Sequence, residues 1–214
     1  VKKDLALIVS DVPATAAGVF TLNKVQAAPV LVCKEHLMNN NSFRAIVCNS
    51  GNANACTGEK GYNYAVTMAN ETASVLGISP QDVFVSSTGV IGEKLPIEKI
   101  VNGIKRAASH LSESGYLSAA EAIMTTDTFV KSHETSFMVN GIEVNIGGIA
   151  KGSGIIHPNM GTMLGFVTTD AAIAKSTLQT MLKTTCDRTF NRIIVDGDTS
   201  TNDMVIMLAN GASG

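Results

Sequence analysis

Gly147-Gly-Ile-Ala-Lys-Gly-Ser-Gly-Ile-Ile-His-Pro-Asn-Met-Gly-Thr-Met-Leu-Gly-Phe166 brings glycines, an apolar run and one lysine together on Thr162. A threonine hydroxyl is a weak nucleophile until a base takes its proton, and a threonine at the head of a chain carries such a base in its own amine. Thr162 gains that amine only if the Gly161–Thr162 bond is cut. Gly161 has no Cβ, so the backbone there can reach strained dihedrals and let the hydroxyl approach the carbonyl before it. The stretch therefore allows self-cleavage between Gly161 and Thr162. Beyond it, Met163-Leu-Gly-Phe-Val167 reads as a buried strand, so a new amine would sit at the head of a rigid element, where a reactive group is best held.

Working upstream, Asn140-Gly141 between Thr135–Val139 and Ile142–Ile146 is a strong hairpin signal, with a two-residue turn of type I′. The second strand leads into Gly147-Gly148 and Lys151. Lys151-Gly152-Ser153 has the wrong order for a phosphate loop, which needs Gly-Lys-Ser/Thr. A surface lysine is the plain alternative, but a lysine among apolar and glycine residues is well placed to meet a substrate carboxylate. His157, beside a proline, reads as structural rather than as a general base.

The rest of the chain alternates strands and helices. Asp4–Ser10 and Gly18–Thr21 are apolar runs separated by a loop around Pro13. Ala45–Cys48 is a short buried strand entering Asn49-Ser-Gly-Asn-Ala-Asn-Ala-Cys-Thr-Gly58, where Asn and Gly suit turns with positive φ and a wall of a site is the second reading. Tyr64–Leu76 has helical spacing and Gly77 as its stop. Val83–Val85 delivers Ser86-Ser-Thr-Gly-Val-Ile-Gly92, a glycine-bearing strand end whose N–H groups can line a cavity. Pro96 opens a helix with an apolar stripe through Leu111. Ser118-x-x-Glu121 reads as a capping box on a short helix ending near Met124, followed by Thr125-Thr-Asp-Thr128. Asp170 is placed to cap a helix over Ala171–Leu182. Arg192–Ser200 gives a strand ending in Asp196 and Asp198, and Met204–Ala209 gives another.

Sixteen basic and eighteen acidic residues leave a formal charge of −2 in 214 residues, tryptophan is absent, and the two basic runs are short. That composition argues against a nucleic-acid surface. Four cysteines without C-x-x-C pairing and four scattered histidines fit buried thiols in a reduced, cytoplasmic protein with no metal site. No apolar run approaches the roughly 20 residues that span a bilayer. Asp196 and Asp198 resemble the carboxylate pair of the haloacid dehalogenase phosphotransferases, but such a pair normally opens a domain and here lies near residue 214. A domain that binds an amino acid without chemistry is a further alternative.

Four segments in order carry a more specific resemblance. Ala150-Lys-Gly-Ser-Gly-Ile-Ile-His-Pro-Asn-Met-Gly-Thr-Met-Leu164 is similar to the cleavage-site signature of the ornithine acetyltransferase family (ArgJ), the bifunctional glutamate N-acetyltransferases of arginine biosynthesis. Ser87–Gly92, Ile123–Thr128 and Asp196-Gly-Asp-Thr-Ser-Thr-Asn-Asp203 agree with it, while Gly161 stands where the family more often has alanine. The resemblance implies an α/β, layered DmpA/ArgJ-like fold with sheets covered by helices, of the N-terminal-nucleophile type by convergence. It implies that residues 1–161 are the α-subunit region, that 162–214 begin the β subunit, and that the C-terminal part lies beyond this fragment. Thr162 would be the nucleophile, Thr88 and Gly89 the oxyanion hole, and Thr125, Lys151 and Thr162 the substrate contacts. The expected reaction moves acetyl from N2-acetylornithine to glutamate without a cofactor; acetyl-CoA is a further donor in some members. The expected assembly is an α2β2 heterotetramer. A DmpA-type threonine-nucleophile aminopeptidase, which would pass the acyl group to water, is the related alternative.

Overall fold

The computed structural model describes residues 3–152, 163–193 and 199–214. Its first strand, β1 (Leu5–Phe20), runs through Pro13 instead of breaking there. Proline lacks an N–H and belongs where no ladder bond is needed. Pro13 sits in the interval between Val9 and Ala14 where the pairing of β1 with β2 (Phe43–Asn52) shifts register. One long strand thereby serves two neighbours: residues 5–9 pair antiparallel with residues 45–49 of β2, and Thr15–Phe20 pair antiparallel with β7 (Met204–Ala209).

With β3 (Val83–Val90), β4 (Lys131–Val139), β5 (Ile142–Lys151) and β6 (Leu164–Thr169), the strands form one sheet in the order β3-β2-β1-β7-β6-β5-β4. Two neighbouring pairs are parallel, β2 with β3 and β6 with β7. Each needs a crossover, supplied by helix α2 (Gly58–Leu76) in one case and α5 (Lys175–Arg188) in the other. The hairpin β4–β5 is as the sequence predicts, with positive φ at both Asn140 (51°) and Gly141 (85°). Gly77 ends α2 in the left-handed conformation (φ 67°), its N–H bonded to the Ala73 carbonyl.

Helices α1 (Ala28–Asn39), α2, α3 (Ile97–Ala108) and α4 (Tyr116–Ala122) pack with β1–β3 around a large apolar core that includes Phe43, Phe84, Met68, Leu95 and Ile104. The Phe43 and Phe84 rings stack with centroids 4.5 Å apart. A smaller core under α5 gathers Ala17, Met163, Leu178, Leu182, Cys186, Val205 and Ala209.

Three helix starts differ from the sequence expectation. Gly115, not Ser118, stands at the N-cap of α4; Lys3 takes both the Ser118 hydroxyl (2.9 Å) and the Glu121 carboxylate (2.8 Å), so neither is left to close a capping box. Asp170 accepts the Asn145 N–H and side-chain amide, both at 2.8 Å, so it staples the end of β6 to β5; the helix begins only at Lys175. Pro96 is the N-cap of α3 rather than its first helical residue. The strand expected over Arg192–Ser200 has its centre, with Asp196 and Asp198, outside the described residues.

Candidate active site

The site is built on the ends of the parallel pair β2–β3, where Ser50 lies opposite Thr88 and Gly51 opposite Gly89. Gly89 has φ +135°, and a Cβ there would stand 2.2 Å from the Gly51 carbonyl carbon and 2.5 Å from the Asn52 nitrogen. Only glycine permits that approach. The Asn49–Gly58 loop that lies against it has positive φ at Gly51, Asn54, Cys56 and Gly58. It is thus both turn and wall. Its buried amides are satisfied within the protein, as buried polar groups must be: Asn49 donates to the Asn52 carbonyl (3.0 Å) and accepts the Ser87 hydroxyl (2.6 Å), and Asn52 accepts the Asn54 N–H (2.8 Å). Asn202 knots the wall to β3, its side-chain amide donating to the Ala53 (2.6 Å) and Ser87 (2.8 Å) carbonyls.

Lys151, the last residue of β5, is only 2% exposed. Its Nζ donates to the Thr125 hydroxyl at 2.9 Å and the Thr88 hydroxyl at 3.2 Å. Three residues expected at the site from separate segments are therefore in direct contact. Burial pushes the Lys151 ammonium below its ordinary pKa, and the Asp127 carboxylate partly opposes that. Asp127 braces the cluster. Its Oδ1 accepts the Gly152 N–H (2.8 Å) and the Lys131 ammonium (2.6 Å), and its Oδ2 accepts the Thr125 N–H (3.4 Å). Burial alone would raise the Asp127 carboxyl, but Lys131, the Gly152 N–H and Lys151 outweigh it and hold the group low. The Cys48 thiol is pushed up to about 12, chiefly by burial, so it is no competing nucleophile at neutral pH.

Gly161 and Thr162, like His157, lie outside the described residues. The N–H of the next residue, Met163, donates to Asp203 Oδ1 at 2.8 Å, and its carbonyl accepts the Met204 N–H at 3.1 Å. In the next register positions Leu164 pairs with Lys151 on one side and Met204 on the other. Residue 163 is thus held next to the lysine–threonine cluster. The Asp203 carboxyl is fully buried and pushed up to about 8; burial is the main cause, opposed by the Met163 N–H, Ser200 and Lys151.

Asp127, Asn202 and Asp203 belong to the site without having been given a role from sequence. Their signal was present: each falls inside a motif segment, and Asp203 directly precedes an apolar strand, where a carboxylate is costly unless it is used. Among the described residues no three His, Cys, Asp or Glu side chains are grouped to hold a metal ion, and no helix is long and apolar enough to cross a membrane.

A mixed α/β sheet covered by helices is an architecture with known counterparts. The l-aminopeptidase d-ala-esterase/amidase of Ochrobactrum anthropi, described as a variant of the ntn hydrolase fold, matches 97% of this chain with a TM-score of 0.55 at 11% identity, a likeness of fold alone. Nearer relatives narrow the class. The crystal structure of the arginine biosynthesis bifunctional protein ArgJ from Bacillus halodurans matches 76% of this chain and 84% of its own (TM-score 0.70, 46% identity). Ornithine acetyltransferase from Mycobacterium tuberculosis, solved with ornithine, matches 75% and 83% (TM-score 0.63, 32% identity). The ArgJ protein of Symbiobacterium thermophilum is 55% identical over 213 residues, all of this chain and 53% of the relative. The ArgJ family model matches residues 1–214, and the chain belongs to that family. It spans about half the length of the curated relatives it matches. The solved Bacillus chain is also short: 76% of 214 residues equal 84% of it, which makes it about 194 residues long.

Proposed function

We propose that this chain is the nucleophile-bearing part of an acetyltransferase that moves an acetyl group from N2-acetylornithine to glutamate in arginine biosynthesis. The observation that carries the proposal is the buried Lys151 ammonium, bonded to the hydroxyls of Thr88 and Thr125 and paired in register next to the strand that follows Thr162. A short solved ArgJ chain, about half the length of full relatives, supports a break near the middle of the family's polypeptide. Cleavage between Gly161 and Thr162 gives Thr162 the amine it needs as a base.

In the matured protein the Thr162 amine takes the hydroxyl proton as the oxygen attacks the acetyl carbonyl. Thr88 already accepts a hydrogen bond from Lys151, so its own O–H is available to donate to the oxyanion, together with the Gly89 N–H. Collapse expels ornithine, whose leaving nitrogen takes the proton back from the amine. Acetyl-Thr162 is then attacked by the amine of glutamate and the steps run in reverse. Lys151 and Thr125 hold a carboxylate of the donor and then of the acceptor. The same proposal includes a paired assembly of the cleaved pieces as an α2β2 heterotetramer, in the cytoplasm, with acetyl-CoA as an additional donor.

Mass spectrometry of the full-length protein before and after incubation with N2-acetylornithine tests it. The expected result is two fragments, the second beginning at Thr162 and gaining one acetyl mass, with acetylglutamate formed faster than free acetate. An uncut protein that turns over normally as Thr162→Ala overturns it, and acetate as the main product with glutamate present makes it a hydrolase.

A further inference from the structure

Lys151 carries a charge that its hydroxyl partners do not balance. It is 2% exposed at the end of β5, and its Nζ donates to the hydroxyls of Thr125 and Thr88, both neutral. A buried ammonium is costly without a counter-charge. Among the described residues, four ionisable groups act on it through space: Asp127 ahead of β4, Cys48 on β2, Asp203 ahead of β7 and Lys131 on β4. Two of these are uncharged at neutral pH, because burial pushes the Cys48 thiol up to about 12 and the Asp203 carboxyl up to about 8. One anion, Asp127, and one cation, Lys131, remain to set the field at Lys151.

The anion both serves the site and obstructs it. The Asp127 side chain has no exposed surface, and its Oδ1 accepts the N–H of Gly152, the residue directly after Lys151, at 2.8 Å. Its Oδ2 accepts the Thr125 N–H at 3.4 Å. Asp127 thereby fixes the backbone at both residues that the proposed function assigns to a substrate carboxylate, and it counters the Lys151 charge while no substrate is bound. An arriving carboxylate meets it as a like charge in a low-dielectric interior, where repulsion is strong. Lys131 removes that obstacle. Its Nζ lies 2.6 Å from Asp127 Oδ1 and 4.5 Å from the centroid of the Phe129 ring, an aromatic face that itself favours a cation. With Lys131 in place the cluster holds two positive charges and one negative, which leaves the complement of a single carboxylate.

We propose that Lys131 is a positioning and selectivity residue that acts through Asp127: by neutralising that carboxylate it lets Lys151 and Thr125 take a substrate that carries a carboxylate of its own. This rests on Lys151 and Thr125 being the carboxylate subsite. Lys131 is asked for no contact with substrate and no proton transfer; its whole effect is to cancel a charge that the site needs for its own geometry. The effect therefore falls on charged substrates and spares neutral ones, which a lysine that merely holds the β4–β5 hairpin in place does not do.

The test compares two acyl donors on the full-length protein, N2-acetylornithine and N2-acetylornithinamide, in which a neutral carboxamide of the same shape replaces the carboxylate. Because acetyl passes to the protein before the acceptor arrives, the donor kcat/KM does not depend on the acceptor. Wild type should prefer the acid, and Lys151→Met should lose that preference. Lys131→Met should lower the preference about tenfold, the loss falling on the acid and not on the amide. Adding Asp127→Asn to Lys131→Met should raise the preference again, and Lys131→Arg should keep it. Equal losses on both donors, an unchanged preference, or a double variant no better than Lys131→Met each overturn the proposal, and leave the carboxylate subsite standing if Lys151→Met has lost the preference. A wild type without acid preference, or a Lys151→Met that keeps it, overturns the subsite and this proposal with it. Should Lys131→Met not fold, Lys131→Gln keeps a donor toward Asp127 without the charge, and the same outcomes decide.

Discussion

Replacing Lys151 by methionine removes one charge from the site and little else. Methionine keeps an unbranched stem of similar length, so the 2% exposed position stays filled. The protein alone loses two hydrogen bonds, at 2.9 and 3.2 Å, each worth about 1.5–3 kcal/mol because the donor is charged, and it is relieved of a desolvation cost of similar size. The melting temperature should therefore move little. The substrate loses far more. Deleting one partner of a buried charge pair costs about 2–5 kcal/mol, and about 3 kcal/mol corresponds to roughly 150-fold in kcat/KM. Because a carboxylate is held equally in ground and transition states, most of that loss should fall on KM. The assay is acetyl transfer from N2-acetylornithine to glutamate by the matured full-length protein, with melting followed in parallel. Arginine should not rescue, its planar fork being too wide for the space of one ammonium. A kcat/KM within threefold of wild type, or a loss confined to kcat, refutes the assignment of Lys151 to the substrate carboxylate.

Three other perturbations have definite signs. In an uncleaved Thr162→Ala background the Asp203 carboxyl, at about 8 in the folded chain, stays protonated while its unfolded counterpart ionises near pH 4; stability is then full below pH 4 and falls by about 1.4 kcal/mol per pH unit toward pH 8, a slope that Asp203→Asn should abolish in urea titrations. Gly89→Ala forces a Cβ to 2.2 Å from the Gly51 backbone at φ +135°, and should cost about 3 kcal/mol or more, seen as aggregated protein or a collapsed urea midpoint. Lys175 ties the start of α5 to the end of α1 through the Leu37 (2.8 Å) and Asn40 (2.7 Å) carbonyls and the Asn41 side chain (3.1 Å); Lys175→Met should lose about 1–2 kcal/mol in urea with specific activity unchanged.

Local rules revealed those parts of the fold that local chemistry controls. Asn140-Gly141 and Gly77 need positive φ, and the chain shows it at both. The stripe from Ile97 to Ala108 announced α3 because one face is apolar. Helix α1 escaped notice because its apolar residues, Ala28, Val30, Leu31, Val32 and Cys33, circle the helix without forming a stripe. The capping box and the Asp170 cap failed for a tertiary reason: Lys3 and Asn145, distant in sequence, compete for those oxygens and win. Within the site, Thr88, Thr125 and Lys151 were legible as separate segments, and their mutual contact is what the structure adds. Asp127 and Asp203 fall inside recognisable segments, but each bonds a backbone N–H belonging to another segment, and that pairing leaves no pattern in one sequence.

The order of the strands bears on the proposed cleavage. β7 and β6, encoded after residue 162, lie side by side between β1 and β5, which are encoded before it. Severing the backbone at that point yields two polypeptides laced through each other, not two lobes joined by a hinge. Pulling them apart would strip β1 from β7 and β5 from β6 and expose Leu164, Met204 and Ile206 to water. An unbroken chain holds the four strands on one tether while they find their places; were the proposed cut made, assembly would become an encounter between separate molecules. Under the proposed cleavage, denatured mature protein should regain its fold far less readily than the uncut chain, and the cut would act as a one-way latch set after folding is done.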